Sequence, residues 1–108
     1  MSGYRLTDSA GADLAAIFWQ SLEQFGPSQT ERYLGELENL FSDLALFPNA
    51  ARLRSDLTPP VRVRRHKAHV IVYNVEPDGV AILRIRHVHE DWLSDAVGQP
   101  PSEDQETT

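Results

Sequence analysis

The stretch that decides the fold runs from Val61 to Asp91, VRVRRHKAHVIVYNVEPDGVAILRIRHVHED. Two runs of β-forming residues, His69 to Val75 and Val80 to Val88, flank a turn of Glu76, Pro77, Asp78 and Gly79. Pro77 presets φ and Gly79 supplies the positive φ of a tight turn, so the two runs are expected to pair antiparallel as a hairpin. Just upstream, Val61 to Arg65 alternates apolar and basic residues and reads as a further strand.

Charge sets the same segment apart. The chain of 108 residues carries ten Lys/Arg against sixteen Asp/Glu, a net charge of −6. Between Arg52 and His89 the balance reverses, with eight Lys/Arg against three Asp/Glu. Such asymmetry points to a negatively charged partner for the basic part. With 41% hydrophobic residues the chain suits one compact domain. The absence of cysteine excludes a disulfide framework and thiolate zinc sites. No basic-then-apolar leader opens the sequence, and no apolar run approaches the ~20 residues of a membrane helix, so a soluble cytoplasmic protein is expected.

Ahead of the basic segment, Tyr4 to Leu6 reads as a short first strand, and Thr7, Asp8 and Ser9 are good N-cap residues. Ala10, Leu14, Ile17, Phe18, Leu22 and Phe25 then recur at helical spacing until Gly26 and Pro27. A second stripe, Tyr33, Leu37, Leu40, Phe41, Leu44 and Phe47, belongs to a second helix that Pro48 stops. The short link between the two predicts an antiparallel helical hairpin. Asn49 to Pro60 reads as loop, and a short final helix over Asp91 to Val97 is allowed. The expected architecture is α+β, ordered β-α-α-β-β-β, with the helical hairpin packed on one face of a mostly antiparallel sheet. Residues 1–97 would form the domain, and 98–108, polar and acidic, a disordered tail.

The order of these elements, with Tyr4-Arg5-Leu6-Thr7, Ala12 to Ile17, Phe25-Gly26, Tyr33 with Leu37, Leu44-Ala45 with Pro48, Val61-Arg62, His69 to Tyr73 and Ile82 to His87, resembles the ParE-type toxins of the RelE/ParE superfamily. The resemblance covers Tyr4 to Asp91. It implies a small toxin of a type II toxin–antitoxin system that binds DNA gyrase, traps it during strand passage and is held inactive by a ParD-like antitoxin. It implies no cofactor, no membrane partner and no sequence-specific nucleic-acid contact. Messenger-cleaving members of the superfamily carry a functional tyrosine near the C-terminus, whereas the last tyrosine here is Tyr73. His89 and the acidic run from Glu103 to Glu106 also depart from the family pattern.

Three chemistries compete for the basic hairpin. In the first, period two gives one face to Val80, Ile82, Arg84 and Arg86 and the other to Leu83, Ile85, His87 and His89. Aligning the apolar residues toward the helices would leave a stripe of cations on the open side of the sheet, and Arg62, Arg64, Lys67, Arg84, His66 and His87 are the types a ribonuclease uses to stabilise a phosphorane-like transition state and activate a 2′-hydroxyl. The hairpin strands hold no carboxylate, so an acid–base partner would have to come from Glu90 or another element. In the second, His87-X-His89 is a pair of potential metal ligands. In the third, the cations simply meet an acidic protein. Arg84, Arg86, His87, Arg62, Arg64 and Tyr73 are the candidates for target contact or toxicity; the alternatives are a structural salt bridge of Arg84 with a helix carboxylate and a packing role for Tyr73 and His87. Arg84→Ala is expected to abolish growth inhibition while leaving the fold intact. Trp19, beyond the edge of the first stripe, is the candidate anchor for the antitoxin with Phe18, Leu22 and Leu46; the alternative is that Trp19 covers the flank of the core.

Overall fold

In the computed structural model, which describes residues 3–98, the hairpin forms the middle of a five-stranded sheet. The elements are β1 (Gly3–Leu6), α1 (Asp8–Phe25), α2 (Pro27–Leu46), β2 (Leu53–Arg54), β3 (Val61–His66), β4 (His69–Glu76) and β5 (Gly79–His87). Apart from Gly98, the expected acidic tail lies outside the described residues. The strand order is β1-β5-β4-β3-β2, with β1 parallel to β5 and all other neighbours antiparallel. The fold is α+β, as expected, with one extra strand. β2, inside the stretch read as loop, pairs Leu53 with Arg62 and Arg54 with Val61. Two residues are too few to leave an alternating pattern in sequence.

Local chemistry sets the helix ends. The Thr7 hydroxyl caps α1 by accepting from the Ala10 N–H at 3.1 Å, and it donates to the Leu83 carbonyl at 2.9 Å. Gly26, at φ +84°, makes the reversal between the helices, and Pro27 opens α2 where an N–H has no partner anyway. At the bend the buried Thr30 hydroxyl lies 3.0 Å from Ser21 Oγ and donates to the Gly26 carbonyl at 2.8 Å. These two polar positions fall outside the apolar stripes, yet they fasten the helical hairpin.

The main core joins Ile17, Leu37, Leu40, Phe41 and Leu44 to Ile71, Tyr73, Val80, Ile82 and Ile85. Phe25 and Phe47, assigned to the stripes, are instead exposed, at 56% and 66%. Each sits at the end of its helix, where the stripe has run past the sheet.

The far face of the sheet corrects a second expectation. It is not open: Leu57, Val61, Val70, Val72 and Ala96 form a separate apolar cluster, with Leu83, Val88 and Trp92 packed against it. Val61 therefore points away from the helices, while Arg62, Arg64 and His66 stand on the helix side opposite Tyr73, Ile71 and His69. Covered on both faces, β4 and β5 hold unbroken buried runs, Val70 to Tyr73 and Val80 to Ile82. The segment after β5 forms turns rather than the short helix allowed by its sequence. Arg86 ties it down by donating to the carbonyls of Asp95 and Ala96 at 2.7 and 3.1 Å.

Between β4 and β5 the register skips, with Tyr73 opposite Ile82 but Val72 opposite Arg84, so Leu83 is an extra residue. The simple alternation read from sequence breaks there, and Ile85 joins Ile82 and Val80 on the helix side. Arg84 turns inward and is 3% exposed. Its guanidinium grips Asp13 of α1 twice, Nε to Oδ2 at 2.6 Å and Nη2 to Oδ1 at 2.9 Å, while the Ile85 N–H donates to Oδ2 at 2.9 Å. β1 ends at Leu6, opposite Ile82, so Asp13 takes over where the edge of β5 loses its strand partner.

At the other end of β1 the approach is too close for any side chain. A Cβ on Gly79, at φ +148°, would meet the Gly3 carbonyl oxygen at 1.8 Å.

The expectation that Arg84→Ala leaves the fold intact is thereby corrected, because it strands a buried carboxylate. The converse change is the sharper test. Asp13→Ala is expected to cost about 3–5 kcal/mol in urea denaturation, whereas the double variant Asp13→Leu with Arg84→Met recovers most of the loss. A single-variant cost below about 1 kcal/mol would mean that the pair behaves as a solvated one.

Candidate functional site

All four histidines of the chain gather at one end of the sheet. β3 and β4 meet at a two-residue turn, Lys67 and Ala68, flanked by the paired His66 and His69. Lys67 takes φ +53°, in the region glycine favours. The register of β5 sets His87 opposite His69. The rings run in a string, with centroids 5.4 Å apart for His69 and His87 and 5.2 Å for His87 and His89. From α2, Tyr33 and Glu36 share one face at a spacing of three and reach this cluster. A cleft of about 390 Å³ lies alongside, lined by apolar Ile17 and Phe25, by Tyr33 and by the polar side chains of Gln20, Gln24, Gln29, Arg32, Glu36, Lys67, His69 and His87.

The hydrogen bonds set the charge of each group. Glu36 Oε1 lies 2.9 Å from both Lys67 Nζ and His66 Nε2, and these bonds, Lys67 first, hold its carboxyl below the usual range. Burial, with Glu36 nearby, pushes the Tyr33 phenol up to about 12, so it keeps its proton. Burial first, then the neighbouring His87, pulls His69 down to about 4, so its ring is neutral at pH 7. Tyr33 Oη shares a hydrogen bond with His69 Nδ1, 2.6 Å away, and has the His66 carbonyl as a second acceptor at 3.4 Å. His87 Nδ1 accepts the His89 backbone N–H at 3.1 Å.

The candidate residues are scattered by this geometry. Arg84 is buried against Asp13, and Arg86 holds the C-terminal turns and also pairs with Glu90 at 3.1 Å. Arg62 donates to the Ala51 carbonyl. Tyr73 is fully buried, with its hydroxyl donating to the Pro48 carbonyl at 3.0 Å. Of the target-contact candidates, Arg64 is exposed and His87 half-buried in the cleft. Among the described residues, no group of three His, Cys, Asp or Glu is disposed to hold a metal ion. Trp19 is 65% exposed, edge-on to Phe18 at 5.0 Å, and does not cover the core; Leu46 is 66% exposed, and Phe18 and Leu22 are half-buried.

Sequence reasoning missed Tyr33, counted in the apolar stripe, and Glu36, one turn further along the same helix. The carboxylate absent from the hairpin comes from α2. Four histidines within His66 to His89 were the available signal, but their helix partners become visible only once α2 is laid on the sheet.

No described helix is long and apolar enough to cross a membrane. The fold is similar to a chain of the solved "Chromosomal ParDE TA system from P. aeruginosa", with a TM-score of 0.71 at 24% identity, covering 82% of this chain and 98% of that one. The sequence is 33% identical over 79 residues to Toxin ParE3 of Caulobacter vibrioides, covering 73% of this chain and 79% of the relative. It is 31% identical over 90 residues to Toxin ParE of Escherichia coli, covering 83% and 86%, and 29% identical over 91 residues to Toxin ParE1 of Mycobacterium tuberculosis, covering 83% and 93%. Residues 4–92 match the family described as "ParE toxin of type II toxin-antitoxin system, parDE". The chain belongs to the ParE toxin family.

The histidine cluster makes stability depend on pH. With His69 at about 4 in the fold against an ordinary 6.5, stability is complete above pH 6.5. As pH falls from 6.5 toward 4, the unfolded chain takes up a proton that the folded chain refuses, and stability declines. Urea midpoints across this window are expected to fall less steeply in His69→Gln than in the parent. Equal slopes would remove His69 from the account.

Proposed function

We propose that this toxin inhibits DNA gyrase by binding the gyrase–DNA complex, without catalysis of its own, and that a ParD-like antitoxin neutralises it in the cytoplasm. The observation that carries this reading is the extent of the family match. It spans the described fold from β1 to the turns after β5, so the reading rests on a whole folded unit and not on one motif. The exposed cations Arg64, Arg65 and Lys67 give β3 and its turn a positive surface suited to an acidic protein. Exposed Trp19, flanked by half-buried Phe18 and Leu22, is an aromatic anchor of the kind that dominates helix-groove interfaces, and Leu46, exposed at the other end of the helical hairpin, is a separate apolar contact.

One observation favours a second reading, a ribosome-dependent endoribonuclease. Glu36 at 2.9 Å from His66 is a carboxylate–imidazole pair beside a lysine, a combination able to move protons. The gyrase reading is preferred because Glu36 and Lys67 already neutralise each other, Arg84 is sequestered, and both cleft histidines have Nδ1 occupied.

Purified toxin freed of antitoxin is expected to block gyrase supercoiling and trap cleavage complexes while leaving translated messenger intact. Messenger cleavage with unaffected gyrase would reverse the order of the two readings. Trp19→Ala is expected to weaken antitoxin binding by about 2 kcal/mol or more in calorimetry. Unchanged affinity would show that the antitoxin docks elsewhere.

A further inference from the structure

Strand β3 has an uncovered edge. β2 pairs only with Val61 and Arg62, so from Val63 to His66 the strand has β4 on one side and, among the described residues, no strand on the other. Such an edge presents N–H and C=O groups able to pair with an extended chain. Its side chains are cationic. Arg64 and Arg65 are exposed on opposite faces, and exposed Arg52 directly precedes β2. The carboxylates of this region are already engaged, Asp56 by Arg54 at 2.8 Å and Glu36 by Lys67 and His66 at 2.9 Å. Arg52, Arg64 and Arg65 have no carboxylate partner among the described residues.

We propose that the acidic tail of this same chain, Ser102 to Glu106, docks along the open edge of β3, with Glu103, Asp104 and Glu106 meeting Arg64, Arg65 and Arg52. The exit of the chain favours this. Gly98 is held through its carbonyl by Arg84, which shares a rung of the sheet with Val72 and Val63, so the exit and the first uncovered residue of β3 stand two strand spacings, ~10 Å, and one arginine side chain apart. The five residues from Gln99 to Glu103 reach roughly 17 Å when extended. Val97 and Val63 both pack against the far-face cluster, the face on which Arg65 lies by alternation. Charge favours it too, since the sequence from Gln99 to Thr108 has Glu103, Asp104 and Glu106 and no Lys or Arg. A second copy of β3 fits less well, because pairing there sets Arg64 and Arg65 beside their own duplicates. The docked tail covers the cations that the preceding reading offers to an acidic protein, so it competes with that partner; this consequence rests on that reading.

The test compares the full chain with its neutralised variant, Glu103→Gln with Asp104→Asn and Glu106→Gln, by NMR. Backbone amides of Val63 to His66 are expected to shift between the two, and outward-facing edge amides to exchange at least about threefold more slowly in the parent. Near 1 M salt, where the Debye length is about 3 Å, the parent's edge signals should move to the variant's positions. In Arg64→Gln with Arg65→Gln, the amides of Ser102 to Glu106 should no longer respond to salt. A capped peptide of residues 102–108 should bind the neutralised variant at least about threefold more tightly than the parent, whose edge is already filled. Coincident edge signals, shifts confined to another cation such as Arg32, or equal peptide binding overturns the proposal. Unchanged signals from the helices and β5 show that each variant keeps the fold. Gyrase assays judge the consequence separately. The neutralised variant should inhibit supercoiling at least about threefold more strongly than the parent. Equal inhibition overturns the competition, whereas no inhibition by either chain sinks the gyrase reading and leaves the NMR result to judge the docked tail.

Discussion

Everything in this small fold depends on how the open edge of β5 is closed beyond Leu6. A carboxylate does it: Asp13 accepts the Ile85 N–H and binds the Arg84 guanidinium, so one side chain replaces the missing strand. Arg84 in turn donates to the Gly98 carbonyl, which joins the helix layer, the sheet edge and the C-terminal turns at one point. Burying two charges gains little net stability, because desolvation offsets their attraction. What the pair fixes is position: here α1 lies against β5 so that one carboxylate meets both the guanidinium and the Ile85 N–H. The capping hydroxyl of Thr7, bonded to the Leu83 carbonyl, fixes the start of α1 in the register that brings Asp13 to this place.

The bulge at Leu83 is the counterpart of that contact in the sheet. Without the extra residue, the pairing of Tyr73 with Ile82 would continue unbroken and set His69 opposite Arg86. With it, His69 faces His87. A shift of one residue moves each side chain to the other face, so the bulge decides which residues enter the cleft and which enter the second apolar cluster. Structural and functional residues are therefore not separable along β5. Arg84, Arg86 and His87 are adjacent in sequence, yet they serve the helix contact, the C-terminal turns and the cleft respectively.

This explains what could be read from sequence. The hairpin, the helical hairpin and their order were legible because turn residues, caps and periodicity act locally: Gly79, Thr7, Gly26 and Pro27 behave as their chemistry dictates. The faces of the strands were not legible. Alternation predicts one buried face, but this sheet is covered on both sides, and a bulge leaves no mark in composition. The cations of the hairpin looked like one stripe because a linear reading cannot show that Asp13, Ala51 and the turn carbonyls lie within reach of them. Of the cleft, the histidines were visible in the sequence, but Tyr33 and Glu36 were taken for ordinary helix residues.

The parallel pairing of β1 with β5 also governs when the toxin comes into being. Gly3 to Leu6 find their partners only in Gly79 to Ile82, so the first and last strands along the chain are joined by contacts of very long range in sequence. Asp13 likewise waits for Arg84 and Ile85. On the ribosome, the helical hairpin is made first but has no sheet to cover until β4 and β5 emerge. A nascent chain is thus unassembled through most of its synthesis, and a message broken before β5 yields a fragment in which the cleft lacks His87 and Asp13 has no Arg84 to bind.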